Sequence, residues 1–328
     1  VAGATDPYVL QKVANAEAIW FAGGDQYDYV SYFKDNAMED ALNTFVNTKQ
    51  GVIGGTSAGL AILGGNYFSA QYGTLSSEVA LSNPYHPRVA IGENDFLDIP
   101  NLNNLITDSH YDSPDRRARH SVMLARIATD NGTRSFGIGC NEYTAVCVEP
   151  DGKAYVYGEY PAYDEYVYFL QANCTTDFEP ETCVSGSPLT WNRGGEAIKV
   201  YKVPGTETGV NYFDLSDWET GSGGEWRNWS IDNGVFTSVA GTNPQCSLSV
   251  SEFEMAKIKV YPNPFVDTIQ IESDVVLKSV QLIDILGNTI PVKLQSDMTI
   301  NVTSLSSGIY FIQLKSDAAT QVVRLVKK

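Results

Sequence analysis

The stretch Gly51-Val52-Ile53-Gly54-Gly55-Thr56-Ser57-Ala58-Gly59-Leu60-Ala61-Ile62-Leu63-Gly64-Gly65 decides the reading of this chain. A short apolar run reads as a buried strand, and Leu60 onward reads as the start of an apolar helix. Between them stands G-x-S-x-G, Gly55 to Gly59, whose small residues allow a sharp strand-to-helix corner. That context presents Ser57 as an exposed nucleophile, with helix N-terminal N–H groups nearby to stabilise an oxyanion. A phosphate-cradling loop would want a lysine close by, and none lies between Gly51 and Gly73.

Working outward, residues 1 to about 170 alternate between helix-like and strand-like segments. Val9 to Ile19 has helical spacing, Ala18 to Ala22 is a short apolar strand ending at Gly23-Gly24-Asp25-Gln26, and Val30 to Lys49 reads as one helix. Such alternation predicts an α/β unit with a largely parallel sheet. Asp151-Gly152 between two period-two segments predicts a β-hairpin. Residues 184–245 read as an irregular extension of this first domain (1–245), 246–257 as a linker, and 258–328 as a small all-β sandwich of short strands at regular spacing.

Composition sets the outer bounds. The 328 residues carry 22 basic and 39 acidic side chains, a formal net charge of −17. That field repels a phosphate backbone, which argues against nucleic-acid binding. No apolar run reaches the ~20 residues of a membrane-spanning helix. The five cysteines form no C-x-x-C pair, which gives zinc and thioredoxin-like readings little support, and no metal or cofactor is implied. Cys174 and Cys183 bracket a loop, which predicts a loop-closing disulfide and an oxidising compartment. No signal peptide precedes Val1, as expected if one has been removed. Nothing in the sequence fixes an oligomeric state, a dimer included.

Ser57 needs a base, and the chain has three histidines: His86, His110 and His120. The α/β-hydrolase order places the base late in the domain, and no histidine follows His120, so that fold is disfavoured. His86 sits in a proline-flanked loop and His120 on a helix. His110 ends Ile106-Thr107-Asp108-Ser109-His110, an apolar strand opening into a turn, at the sheet edge where ligands bind. His110 is the expected base. Arg116, Arg117 and Arg119 follow it and could offer a guanidinium fork to an acidic group.

Four motifs in this order, Gly23 to Gln26 (G-G-D-Q), Gly55 to Gly59, Asp108 to Arg119 and Gly139 to Ala145 (G-x-x-E-Y-T-A), resemble the peptidase E and cyanophycinase family of serine hydrolases. The resemblance covers roughly residues 1 to 200. It implies a flavodoxin-like, class I glutamine-amidotransferase-like three-layer sandwich, and cleavage of peptide or isopeptide bonds beside aspartyl groups. It further implies Ser57 as nucleophile, His110 as base, the N–H groups of Gly24 and Ala58 as oxyanion hole, and Gln26, Arg117 and Arg119 as substrate-binding residues. The triad acid in this family lies between serine and histidine, which makes Glu78 the candidate. Asp95 and Glu93 share that interval, and Glu142 is a separate motif carboxylate. The third arginine of the cyanophycinase pattern is replaced at about Val122, and the family's opening strand is not visible before Val9. A catalytically inactive secreted binding protein is the alternative those two departures motivate. The last ~70 residues, with Y-P-N-P, L-G-N and G-I-Y motifs, resemble the C-terminal sorting domain of type IX secretion in Bacteroidota. That implies handling by the type IX machinery and export to the cell surface or medium.

Overall fold

The computed structural model describes residues 2–112, 114–244, 246, 259–273, 277–285, 288–295, 298–315 and 320–328. It divides into two compact units, Val1–Cys246 and Ser247–Lys328. The expected linker beyond Cys246 lies outside the described residues.

The first unit opens with helix α1 (Pro7–Asn15), strand β1 (Ala18–Phe21), α2 (Gln26–Phe33), α3 (Ala37–Asn47), β2 (Val52–Gly55) and α4 (Ala58–Ala61). The single helix expected over Val30 to Lys49 is two. Asp35 takes a left-handed φ of 58°, and Asn36 then caps α3 by accepting from the Met38 N–H. Left-handed backbone cannot continue a helix, and an asparagine cap starts a new one. Next come β3 (Asn66–Phe68), α5 (Ser77–Ser82), β4 (Ile91–Glu93), β5 (Leu105–Asp108), α6 (Arg117–Asn131) and β6 (Phe136–Cys140). Apart from a 3-10 turn at Arg193–Gly195, the remaining elements are strands: β7 (Thr144–Val148), β8 (Lys153–Gly158), β9 (Tyr166–Ala172), β10 (Ile198–Pro204), β11 (Asn211–Asp214), β12 (Gly221–Ser222), β13 (Glu225–Asp232) and β14 (Val235–Ala240).

These strands correct the expected flavodoxin-like, mostly parallel sandwich. Strand outweighs helix, and antiparallel pairing outweighs parallel. In the eight-stranded sheet, ordered β14-β13-β10-β9-β6-β5-β3-β4, only β3–β5 and β5–β6 run parallel. β1 and β2 form a separate parallel pair, and β12-β11-β8-β7 form an antiparallel sheet. The reason is connection length. Parallel neighbours need a long crossover, which α6 supplies between β5 and β6. After β6 the chain turns back at tight turns such as Asp151-Gly152 and Asn233-Gly234, with positive φ at Gly152, Asn233 and Gly234, and such turns make hairpins. Residues 184–245, read from sequence as irregular, supply β10–β14, three of which extend the main sheet.

The central strands are buried on both faces. Leu105 and Phe169 enter one apolar cluster with Leu42, Phe45, Ile62 and Phe213, while their neighbours Ile106 and Leu170 enter another with Val122, Leu124, Trp191 and Trp229. Period-two alternation sends successive side chains to opposite layers, so this core fixes the register of β5. Among its described residues the second unit shows seven strands in two antiparallel sheets, which share a core of Phe265, Ile269, Ile271, Leu282, Ile312 and Leu325.

The disulfide joins Cys174 to Cys246, not to Cys183. Cys183 is buried in the apolar cluster that packs α6, whereas Cys174 faces the Pro244 carbonyl at the end of the unit. Mass mapping of the unreduced, denatured protein should therefore find alkylated Cys140, Cys147 and Cys183 and a linked Cys174–Cys246 peptide. Opening this 72-residue separation should lower stability by about 2–4 kcal/mol. A Cys174–Cys183 peptide would contradict this pairing.

Candidate active site

Ser57 stands at the corner between β2 and α4 with φ 53° and ψ −112°, a conformation that a residue bearing a Cβ adopts only under constraint. Its neighbours supply that constraint. A Cβ on Gly55 would sit 2.4 Å from the Gly59 carbonyl carbon and oxygen, and one on Gly59 would sit 2.2 Å from the Phe21 carbonyl oxygen. Both glycines of the motif are thus required by close backbone approach. The Thr56 N–H donates to the Phe21 carbonyl at 3.0 Å, and the Thr107 hydroxyl donates to the Leu60 carbonyl at 2.6 Å, tying the corner to β1 and β5.

His110 lies two residues beyond the end of β5, also at a left-handed φ, 54°. Ser57 Oγ is 3.0 Å from His110 Nε2, and His110 Nδ1 is 2.9 Å from Glu142 Oε1. With Nδ1–H donating to the carboxylate, Nε2 is left to accept the serine hydroxyl. Glu142 lies two residues beyond the end of β6. Because β5 and β6 pair in parallel, Asp108 opposite Gly139, the two chain ends emerge side by side and deliver imidazole and carboxylate to one place.

Glu78, the expected acid, is corrected by this arrangement. It is exposed on the first turn of α5 and has no hydrogen bond to His110. Glu93 instead accepts from Asn131, and Asp95 accepts from Tyr67 and pairs with Lys34. Two of the four carboxylates weighed from sequence are thus engaged elsewhere, and Glu142 alone reaches the imidazole.

The other expected site residues divide. Gly24 lies in the turn from β1 into α2, whose first residue is Gln26, and a Cβ on adjacent Gly23 would be 3.3 Å from Ser57 Cβ, so this turn abuts Ser57. Ala58 is the first residue of α4, where an N–H has no partner within the helix. Gln26 donates its side-chain amide to the Phe68 carbonyl at 3.2 Å, which holds the turn against β3. Arg117 is about one-third exposed and bonded to Asp115. Arg119 is corrected: only 3% exposed, it binds Asp108 through Nε at 2.8 Å and Nη2 at 2.5 Å, and it also donates to Thr74. A guanidinium sealed beneath the sheet edge is a structural ion partner, not a ligand for substrate.

That buried pair underlies the site. Burial alone would raise the Asp108 carboxyl, but the charge and hydrogen bonds of Arg119, helped by His120 and Arg116, hold it low. Asp108 also accepts from the Ser109 N–H at 2.9 Å, and Arg116 donates to the Ser109 carbonyl at 3.3 Å, so the backbone before His110 is gripped from both sides. Tyr111, directly after it, bonds the buried His120, whose Nε2 faces the Ile106 carbonyl at 3.1 Å. This places the proton of neutral His120 on Nε2 and has Nδ1 accept from Tyr111. Burial pushes the His120 imidazolium down to about 4. Among the described residues no cluster of His, Cys, Asp and Glu is arranged to hold a metal ion.

Residues 259–328 match the secretion system C-terminal sorting domain. The chain is therefore exported through type IX secretion to the cell surface or the medium, and no helix among the described residues is long and apolar enough to cross a membrane. Against curated proteins the chain shows no significant similarity. Two solved structures share limited similarity. A peptidase from an acI-B1 Actinobacterium is 19% identical with a TM-score of 0.35, over 50% of this chain and 57% of that one. The neural ectodermal development factor IMP-L2 is 7% identical with a TM-score of 0.18, over 58% of this chain and 93% of that one. The chain thus spans a little over half the length of the peptidase, and neither superposition is close enough to bear on the site.

His120 gives the site an acid limit. In the unfolded chain an imidazole binds its proton near pH 6.5, whereas folded His120 resists it until about 4. As pH falls through that window the unfolded state takes up more protons, so stability drops. The loss should be on the order of 3 kcal/mol by pH 4, read as a falling thermal midpoint. A midpoint unchanged between pH 7 and 4 would contradict the neutral buried assignment.

Proposed function

We propose that this chain is a secreted serine hydrolase that cuts peptide or isopeptide bonds. The observation that carries the reading is the continuous pair of hydrogen bonds from Ser57 through His110 to Glu142, at 3.0 and 2.9 Å, at a strained strand-to-helix corner. Ser57 Oγ attacks the scissile carbonyl carbon while His110 Nε2 takes its proton. Glu142 fixes the imidazole tautomer and stabilises the imidazolium. The N–H groups of Gly24 and Ala58 receive the oxyanion. The imidazolium then protonates the leaving amine, and water, deprotonated by the same nitrogen, releases the acyl group.

The substrate class we propose is a bond adjacent to an aspartyl residue, as in α-aspartyl dipeptides, β-aspartyl peptides or the β-linked Asp-Arg polymer. The sequence motifs support it, and Arg117 is the remaining candidate for binding the acidic group, since Arg119 is sealed away. Arg117 would exchange its exposed pairing with Asp115 for a substrate carboxylate, a pairing that costs little to break in water.

Three substitutions test the relay on a panel of those three substrates. Ser57→Ala should lower kcat about 10⁶-fold, to a small residual rate, while leaving the thermal midpoint intact. Glu142→Gln should lower kcat about 10³–10⁴-fold, because the amide favours the wrong tautomer. Glu78→Gln should leave kcat within twofold. Full activity in Ser57→Ala, or a large loss in Glu78→Gln with none in Glu142→Gln, would end the proposal.

A further inference from the structure

A cleft of about 340 Å³ opens between α2 and the β3–β4 edge of the large sheet, and no residue of the relay lines it. Its floor is set by one glycine. β3 and β4 pair antiparallel with Tyr67 opposite Gly92, and a Cβ on Gly92 would collide with the Tyr67 ring. Without that Cβ the phenol lies across β4 and donates to Asp95 Oδ1 at 2.8 Å. Burial, then the Asp95 carboxylate, push the Tyr67 hydroxyl far above its ordinary value, so it remains a donor. The second carboxylate oxygen, Oδ2, pairs with Lys34 Nζ at 2.8 Å, and that bond keeps the ammonium charged.

This pair has hydrogen-bonding capacity left over. Tyr67 is sealed, but the Lys34 and Asp95 side chains are 24% and 43% exposed. Lys34 directs one N–H at Asp95 and a longer one, 3.5 Å, at Asp35, which leaves a third donor. Each oxygen of Asp95 has a further lone pair. A donor and an acceptor fixed side by side match two adjacent hydroxyls, one donating to Asp95 while its neighbour accepts from Lys34. Opposite them, Val30, Ile91 and the exposed ring of Tyr27 offer an apolar wall for the C–H face of a sugar. At the rim, the exposed Gln71 amide has no hydrogen-bond partner among the described residues and carries both a donor and an acceptor. Charged ligands fit less well. An anion beside Lys34 would meet Asp95 and Asp35, and a cation beside Asp95 would meet Lys34. An uncharged polyol uses both members of the pair without separating them.

We propose that this cleft is a saccharide-binding site that seats one uncharged pyranose ring between Tyr27 and the Lys34–Asp95 pair. It goes beyond the hydrolase reading, because none of its contacts involves Ser57, His110 or Glu142. Gln71 follows β3 and His110 follows β5, and those two strands are parallel neighbours, so a bound sugar reaches the same sheet edge as the relay.

The test uses the full chain and the methyl glycosides of glucose, galactose, mannose and N-acetylglucosamine, with binding read by saturation-transfer NMR. At least one glycoside should bind. Tyr27→Ala and Gln71→Ala should each weaken that binding about three- to tenfold, by loss of the ring contact and of the amide bonds. Tyr27→Phe should retain it, and thermal midpoints establish that all three variants fold. Methyl glucuronide should bind at least about threefold more weakly than methyl glucoside, because its carboxylate meets those of Asp35 and Asp95. Ser57→Ala should bind the glycoside as the unmodified chain does. Four glycosides without saturation transfer overturn the site, as does binding unchanged in both Tyr27→Ala and Gln71→Ala. Glucuronide binding as tight as glucoside overturns the uncharged assignment, and loss of binding in Ser57→Ala places the sugar at the relay instead. Glycoside binding by a chain inert toward every aspartyl substrate leaves the saccharide site standing and removes the hydrolase reading.

Discussion

The imidazole of His110 is held at both nitrogens, and most of what surrounds it serves to keep it there. A histidine at a left-handed φ two residues beyond a strand would ordinarily sample several orientations. Here the backbone before it is gripped by the Asp108–Arg119 pair and by Arg116, and the residue after it is bonded to buried His120. The ring then meets a hydroxyl on one side and a carboxylate on the other. Buried polar partners of this kind contribute little net stability as a set, yet losing one member is costly because the other is left unpaired. Their role is geometric. They fix where the His110 ring points.

The architecture follows from the same requirement. Among the described residues of the first unit only three strand pairs are parallel, and all three matter to the site: β1–β2 brings the Gly23-Gly24 turn against Ser57, β5–β6 sets His110 beside Glu142, and β3–β5 continues that edge. The strands added after β6 pair antiparallel, are joined largely by short turns, and cover the parallel centre on its flank. The site therefore sits where a small parallel core meets a larger antiparallel sheet. The disulfide at Cys246 closes the end of this unit, which suits a chain exported to an oxidising milieu by its C-terminal sorting domain.

Much of the site was legible because local backbone chemistry announces it. G-x-S-x-G needs glycines at a sharp corner, and the structure places Gly55 and Gly59 where no side chain fits. His110 was reached from the apolar strand preceding it. Glu142 was harder, since its selection depends on the parallel register of β5 with β6, a pairing between segments some 30 residues apart in sequence. Its equal offset from the strand end, two residues as for His110, was the usable signal. Arg119 misled for a related reason. Its sequence neighbourhood is a run of surface-like charge, and only tertiary packing reveals that the Asp108 carboxylate takes it inward. The sheet was misjudged because the first 140 residues alternate helix and strand, while the hairpins that reverse the overall balance come later. The disulfide failed on proximity: Cys183 is near Cys174 in sequence but is directed into the core.

Whether Ser57 and Glu142 act as one unit through His110 is decided by a double-mutant cycle on kcat over Ser57→Ala, Glu142→Gln and the pair. The account predicts strong non-additivity, with Glu142→Gln costing orders of magnitude when Ser57 is present and nothing further when it is absent. Additive losses, with the carboxylate contributing equally in both backgrounds, would show that Glu142 acts independently of the nucleophile and would contradict the relay.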